Sequence, residues 1–501
     1  MRVLFCGYPI CLIFNTHKSS LNRLIPISIP EPILKRTLSL RTTIAIVIGG
    51  VIGSGIFMKP ALMAAQLQSP LLLLSVWMVA GIVTLFGALS NAEVAVMFPE
   101  TGGQFVFFQK MYGPRFAFLY GWAAFAVFNT AGNASIAYVF SQYANYFIHL
   151  PRLSLATEQA YHLHIPGVGT IFPLEQIGVK LLTVFIIVVL TLINYFSVGY
   201  GSMVQRFLTA LKAVAIVLLI GGILFSGKGS WEHLVTATPQ HLQGLNFIGM
   251  YMAAVAGAFW AYDGWNNITF VAGEIKEPQR NIPRSLFTGL FFCIIVYVLL
   301  NLAFVYVLPI QQLANSSFVA SDAASVVWGM KGGSLIALLV MLFVLGTTNA
   351  NVLATARVTF ATAASSKKTN WVGKIQSRYH TPGNALLLNA CWTIILIFSG
   401  SFDMLTDMLI FVSWFFYGMS ALGVFILRYK MKDFPRTYKV WGYPFVPLLF
   451  VVFAFFFLAS TLYTDIINYR NGHTQVINSL LGILITCVGI PLYYFFKNRK
   501  P

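Results

Sequence analysis

Charge is what this sequence has least of. Asp, Glu, Lys and Arg make up 9% of its 501 residues, against about 25% in a soluble domain, so most of its surface must face something other than water. The signatures of catalysis are missing as well. There is no G-x-S-x-G, no H-E-x-x-H and no glycine-rich phosphate loop ending in lysine, and the eight histidines fall in predicted loops, in tails or at a span end. These gaps argue against a membrane enzyme and against a resident metal or cofactor. Cysteine is scarce: Cys6, Cys11, Cys293, Cys391 and Cys487. None lies in a predicted outer loop, which excludes a disulfide framework there and a bridge to a partner ectodomain.

What is present is apolar, at 58% hydrophobic and 15% aromatic. Twelve runs approach the roughly 20 residues that cross a bilayer, at 42–65, 71–97, 117–148, 176–196, 204–226, 246–273, 285–308, 333–362, 384–401, 404–428, 443–464 and 476–496. An all-α membrane protein of twelve transmembrane helices is expected, with no appended soluble domain. The net charge of +18 could suggest nucleic acid, but its distribution argues for a membrane. With both ends on one side, that side holds 24 of the 32 Lys and Arg and the other side four, Arg152, Lys228, Lys331 and Arg470. This bias orients both termini to the cytoplasm of a plasma or inner membrane. The apolar run at 3–14 lacks a small-residue cleavage site, so residues 1–38 read as a cytoplasmic tail rather than a signal peptide.

Two spans are interrupted. The first carries GGVIGSGIF, with Gly49, Gly50, Gly53, Ser54 and Gly55 in nine residues, and the sixth carries GAFWAYDGWNN at 257–267. Each interior glycine weakens a helix by about 1 kcal/mol. Non-helical backbone at that depth persists only where protein buries it or it lines a cavity. Glycine also serves tight helix packing, but two breaks five spans apart mark an inverted repeat with a ligand site between its halves. The chain accordingly divides into a tail (1–38), a core of two five-span repeats (39–430, with repeats at about 42–226 and 246–428) and a last pair of spans with a short tail (431–501).

FPETGGQF at 98–105, GEIKEPQRNIPRSL at 273–286 and PRTYKVWGYP at 435–444 follow the first break in the order typical of amino acid permeases. From about 38 to 498 the chain resembles the amino acid–polyamine–organocation superfamily, in particular its L-type amino acid transporter branch with the bacterial serine/threonine exchanger-like members. The resemblance implies a LeuT-like fold that alternates access around a site between spans one, three, six and eight.

A free amino acid is a zwitterion, and a broken helix suits both its poles. Beyond Gly53, the amides of Ser54, Gly55 and Ile56 open the outer half-helix and would donate to the carboxylate. Carbonyls of Val51 and Ile52, joined by those of Trp260 and Ala261 beside Tyr262, would face the ammonium. By resemblance Trp260 gates the substrate, although a packed aromatic would read the same way. Asp263 caps the second break, contacts a polar or cationic substrate side chain, or carries a proton; an intramembrane acid marks function by default. The resemblance gives Lys212 in span five the place of a sodium ion, tying carbonyls near Gly50 to Thr347, Thr348 and Asn351 of span eight, where snorkelling is the alternative. Glu93 is read as structural or gating. Asn129, Asn133, Trp414 and Tyr417 line the pathway or bond helix to helix. The function expected is a sodium-independent exchanger of small or medium neutral or polar amino acids, with a proton-coupled symporter, a cationic amino acid or polyamine carrier, or a sensor as alternatives. The superfamily's heavy-chain partner attaches through an outer cysteine between spans three and four; the loop at 149–175 has none, so a monomer in the bilayer without that partner is expected.

Overall fold

The computed structural model describes residues 36–100, 102–196, 199–235, 244–364 and 369–496, and only the backbone of 199–210, 245 and 364. The proposed tail, 1–38, therefore lies almost wholly outside the described residues.

Helix α1, Leu40–Val51, begins where the Ser39 hydroxyl accepts the Thr42 amide at 3.4 Å, the role that favours serine at a helix start. It stops at Ile52, whose backbone is extended at ψ 90°. Helix α2, Gly55–Leu67, resumes after Gly53 and Ser54, and the two axes diverge by 42°. Helix α3, Pro70–Met97, opens with Ser69 as cap and proline at its first position, where a missing N–H costs nothing. Two shorter helices follow, α4, Gln104–Tyr112, and α5, Pro114–Ala123. A π-helical turn at Ala124–Asn129 carries α5 into α6, Thr130–Phe147. Outside these helices lie α7, Leu155–Ala160, and an antiparallel pair, β1, Leu163–Ile165, and β2, Gly169–Ile171, with Leu163 opposite Ile171.

Helices α8, Ile177–Phe196, and α9, Gly199–Leu224, precede α10, Leu245–Tyr262. There the second break occurs. Asp263 is extended, Gly264 turns left-handed at φ +94°, and the chain continues as a tight 3₁₀ helix, Trp265–Glu274. The remaining helices are α11, Pro278–Val307; α12, Ile310–Ala314; α13, Val319–Ala364; α14, Gly383–Ser399; α15, Phe402–Lys430; α16, Phe445–Arg470; and α17, Asn478–Phe496. Among the described residues eight helical stretches are long and apolar enough to cross a membrane, and α1 with α2 makes a ninth when taken as one bent span. The other apolar runs of the sequence coincide with α9, α10 and α14. The eighth run starts earlier than its hydropathy indicates, because Gly329, at φ +73°, joins a lead-in helix to it.

The two breaks meet. A Cβ on Gly264 would lie 2.5 Å from the Gly50 carbonyl oxygen, and one on Gly55 would lie 2.6 Å from Ala261 Cα. Only glycine allows backbones to approach so closely. Before α1, Leu38 pairs in parallel with Ile275, and the Thr37 and Leu38 amides both donate to Glu274 O. The start of α1 and the end of the 3₁₀ helix are therefore tied together at the same end of the bundle.

Candidate functional site

A cavity of about 900 Å³ lies where the breaks cross. It runs from Ser54, Gly55 and Trp260 down to Arg41 and Thr42, which are exposed at the start of α1. Trp260 stands edge-on to Phe402 at its other end, and Lys59 lies 4.9 Å from the Phe402 ring. Arg41 and Asp263 are the charged residues among those lining it. The π-helical turn contributes Phe128 and Asn129 to one wall; such turns are common at functional sites because they re-aim side chains.

Of the residues singled out in the sequence, Val51, Gly53, Ser54, Gly55, Asn129, Trp260, Ala261, Asp263, Thr347, Asn351 and Tyr417 line the cavity. Five buried side-chain atoms of cavity-lining residues, Ser54 Oγ, Gln104 Nε2 and Oε1, Asn129 Nδ2 and Trp260 Nε1, have no hydrogen-bond partner. Buried polar groups are normally satisfied, so these are open to a ligand. The first four N–H groups of a helix have no partner within it, and α2 starts at Gly55 on the cavity wall. Asp263 accepts the Tyr417 hydroxyl at 2.7 Å.

The other residues point elsewhere. Ile52 and Ile56 are buried in the core, and Tyr262, also buried, donates to Trp77 O at 3.0 Å. Trp414 stacks on Phe259 with ring centroids 3.6 Å apart. Asn133 accepts from Asn351 at 2.8 Å and donates to Thr355 at 3.1 Å, bonding α6 to α13. Glu93 lies away from the cavity. It takes a two-pronged contact from Arg428 at 2.9 and 2.7 Å and the Val440 amide at 2.8 Å, which anchors the 431–444 loop to α3.

Lys212 does not line the cavity but holds its wall. Its ammonium donates to Ile52 O at 2.6 Å and to Thr347 Oγ1 at 3.1 Å, joining α9 to the first break and to α13. The carbonyl it reaches, that of Ile52, lies two residues from Gly50 in the first break. Thr348 donates instead to Val344 O, and Asn351 turns to Asn133, so neither meets the ammonium.

Two important side chains are not among the residues singled out in the sequence. Tyr297 of α11 is buried, and its hydroxyl lies 2.8 Å from Val51 O and 2.9 Å from Ala261 O. One phenol thus spans both breaks, but a lone tyrosine in an apolar span looks like packing. Lys59 of α2 is 1% exposed and donates to Asp403 at 2.7 Å and Thr406 at 2.9 Å, with Asp407 at 4.0 Å. Asp403 and Asp407 four apart on one helix face were the available clue. Together these residues join the first half of α2 to the start of α15 beyond Trp260.

Residues 38–489 match the amino acid permease family. The chain belongs to that family. This permease is 30% identical over 472 residues to a serine/threonine exchanger of Bacillus subtilis, covering 93% of the chain and 98% of the relative. It is 29% identical to the human cystine/glutamate transporter, over 93% of the chain and 87% of the relative. It is 30% identical to the mouse large neutral amino acids transporter small subunit 2, over 93% and 82%. The permease is a multi-pass membrane protein, and its relatives are transporters rather than enzymes.

Proposed function

We propose that this permease is a sodium-independent amino acid exchanger. It carries small or medium neutral and polar amino acids by alternating access, on twelve spans arranged as a LeuT-like five-plus-five inverted repeat. The core is residues 39–430, and residues 431–501 add the last pair of spans. Both termini lie in the cytoplasm of the plasma or inner membrane, and the protein works as a monomer without a disulfide-linked partner.

The observation that carries the reading is the crossing of two helix breaks at one cavity. It offers unpaired amides at the start of α2 to a carboxylate and peptide carbonyls of the first and second breaks to an ammonium. Ser54, Gly55 and Ile56 supply the first set, and Val51, Ile52, Trp260 and Ala261 the second. Sodium independence rests on Lys212: its ammonium occupies the space between the first break and α13, supplying there the positive charge that a metal cation would bring. Because the cavity reaches Arg41 and Thr42 and is stoppered by Trp260, the state described is open to the cytoplasm under this orientation. The relatives named as exchangers and transporters of serine/threonine, cystine/glutamate and large neutral amino acids support amino acids as cargo.

A proton-coupled or cation-carrying mode is favoured by one observation, the carboxylate of Asp263 in the cavity wall. Proteoliposomes preloaded with unlabelled serine test the main reading. Radiolabelled serine should enter by exchange equally in sodium and in choline buffer. Loss of uptake in choline would reject sodium independence, and binding without flux would make the protein a sensor.

A further inference from the structure

Among the described residues Asp263 has no counter-ion, and its side-chain partner is the neutral Tyr417 hydroxyl. The charged and titratable groups of the surrounding elements are accounted for. Arg41 of α1 stands at the exposed rim of the cavity. Lys59 of α2 is committed to Asp403, and Lys212 of α9 to Ile52 O and Thr347. Tyr120 of α5 lines the same wall, and Tyr297 of α11 is engaged with Val51 and Ala261.

A bare carboxylate at this depth is costly, and such a group is neutralised by a proton or by a paired cation. The side chain lines the cavity, so a ligand can reach it. Resting on the transporter reading above, we propose that Asp263 carries either a proton or the cationic side chain of the substrate in every transport step. A neutral amino acid then travels with one proton. A cationic amino acid travels without one: on its arrival the carboxyl proton leaves to cavity water, and an ion pair forms in its place. The loaded site carries the same charge in both cases.

This predicts proton traffic that uncoupled exchange lacks. Full-length protein in liposomes holds a trapped pH-sensitive dye and internal serine, with the membrane potential clamped. External serine should exchange with no lumenal pH change. External lysine should exchange and make the lumen alkaline by one proton per turnover, at a rate insensitive to the clamped potential. Proton and lysine compete, so the half-saturation concentration for lysine should fall by up to about tenfold per unit rise in pH, and that for serine should not fall. In Asp263→Asn the lysine-driven alkalinisation should vanish. Serine exchange without lysine exchange, or lysine exchange that is pH-silent and driven by voltage, overturns the proposal, as does alkalinisation that survives in Asp263→Asn. Failure of the parent protein to exchange any amino acid refutes the transporter reading itself, and this proposal with it.

Discussion

Replacing Lys212 by Met keeps the aliphatic stem and deletes only the ammonium. That group makes two charge-assisted hydrogen bonds, to Ile52 O at 2.6 Å and Thr347 Oγ1 at 3.1 Å, each worth about 1.5–3 kcal/mol. The folded protein gains back much of this sum, because a buried ammonium without a carboxylate carries a large desolvation cost. Net stability should therefore change little. Transport should change a great deal, since the two contacts connect the first break to α13 in one arrangement of the helices. Losing about 3 kcal/mol from one of two interconverting states shifts their ratio by a factor of about 150. Exchange of radiolabelled serine in proteoliposomes should accordingly fall on the order of 100-fold, while the melting temperature in detergent stays within a few degrees. A well-folded Lys212→Met protein that exchanges within a factor of about three of the parent would refute the reasoning.

Two further substitutions probe contacts that close the same region. Lys59→Asp puts a third acid beside Asp403 and Asp407 and should slow exchange sharply; adding Asp403→Lys should restore much of the rate, and a double variant no better than the single one would show that the pair does not act as a unit. Tyr297→Phe removes the donor shared by Val51 O and Ala261 O, a loss of about 1–2 kcal/mol. Its turnover should drop by about tenfold with a nearly unchanged melting curve, and unaltered turnover would make the hydroxyl structural only.

Much of this arrangement was legible because it lives in backbone chemistry. The glycines of GGVIGSGIF and the AYDGW turn announced two interruptions, and the breaks lie at Ile52–Ser54 and Asp263–Gly264. Glycine is chosen for close approach and unusual φ, so it can be read locally. The paired asparagines Asn91 and Asn266, bonded at 3.0 Å across 175 residues, could not be read, because a lone polar residue in an apolar run does not reveal its partner. The same holds for Tyr297 and Lys59. Long-range pairings depend on which helix faces meet, and hydropathy of single spans carries no record of that. The π-helical turn at Ala124–Asn129 was invisible for a related reason: one extra residue per turn leaves no compositional trace.

The pairing of carbonyls has a consequence for how a zwitterion is gripped. Val51 O already accepts from Tyr297 and Ile52 O from Lys212, and Ala261 O is shared with Tyr297. A carbonyl has a second lone pair, so an ammonium can still add, but it meets acceptors that have partners. The Gly55 and Ile56 amides at the start of α2 and the hydroxyl of Ser54 meet a carboxylate with none, whereas the Phe57 amide already donates to Ser54 O. Desolvating an unpartnered donor costs more than losing one of two bonds at a carbonyl. In this open arrangement the carboxylate pole should therefore dominate binding from the Arg41 side. Serine methyl ester, which keeps the ammonium and lacks the carboxylate, should compete for serine exchange at least about tenfold more weakly than 3-hydroxypropanoate, which keeps the carboxylate and lacks the ammonium. The reverse order, with the ester the better competitor, would mean that the carbonyls of the two breaks, and not the free amides of α2, decide which molecules enter.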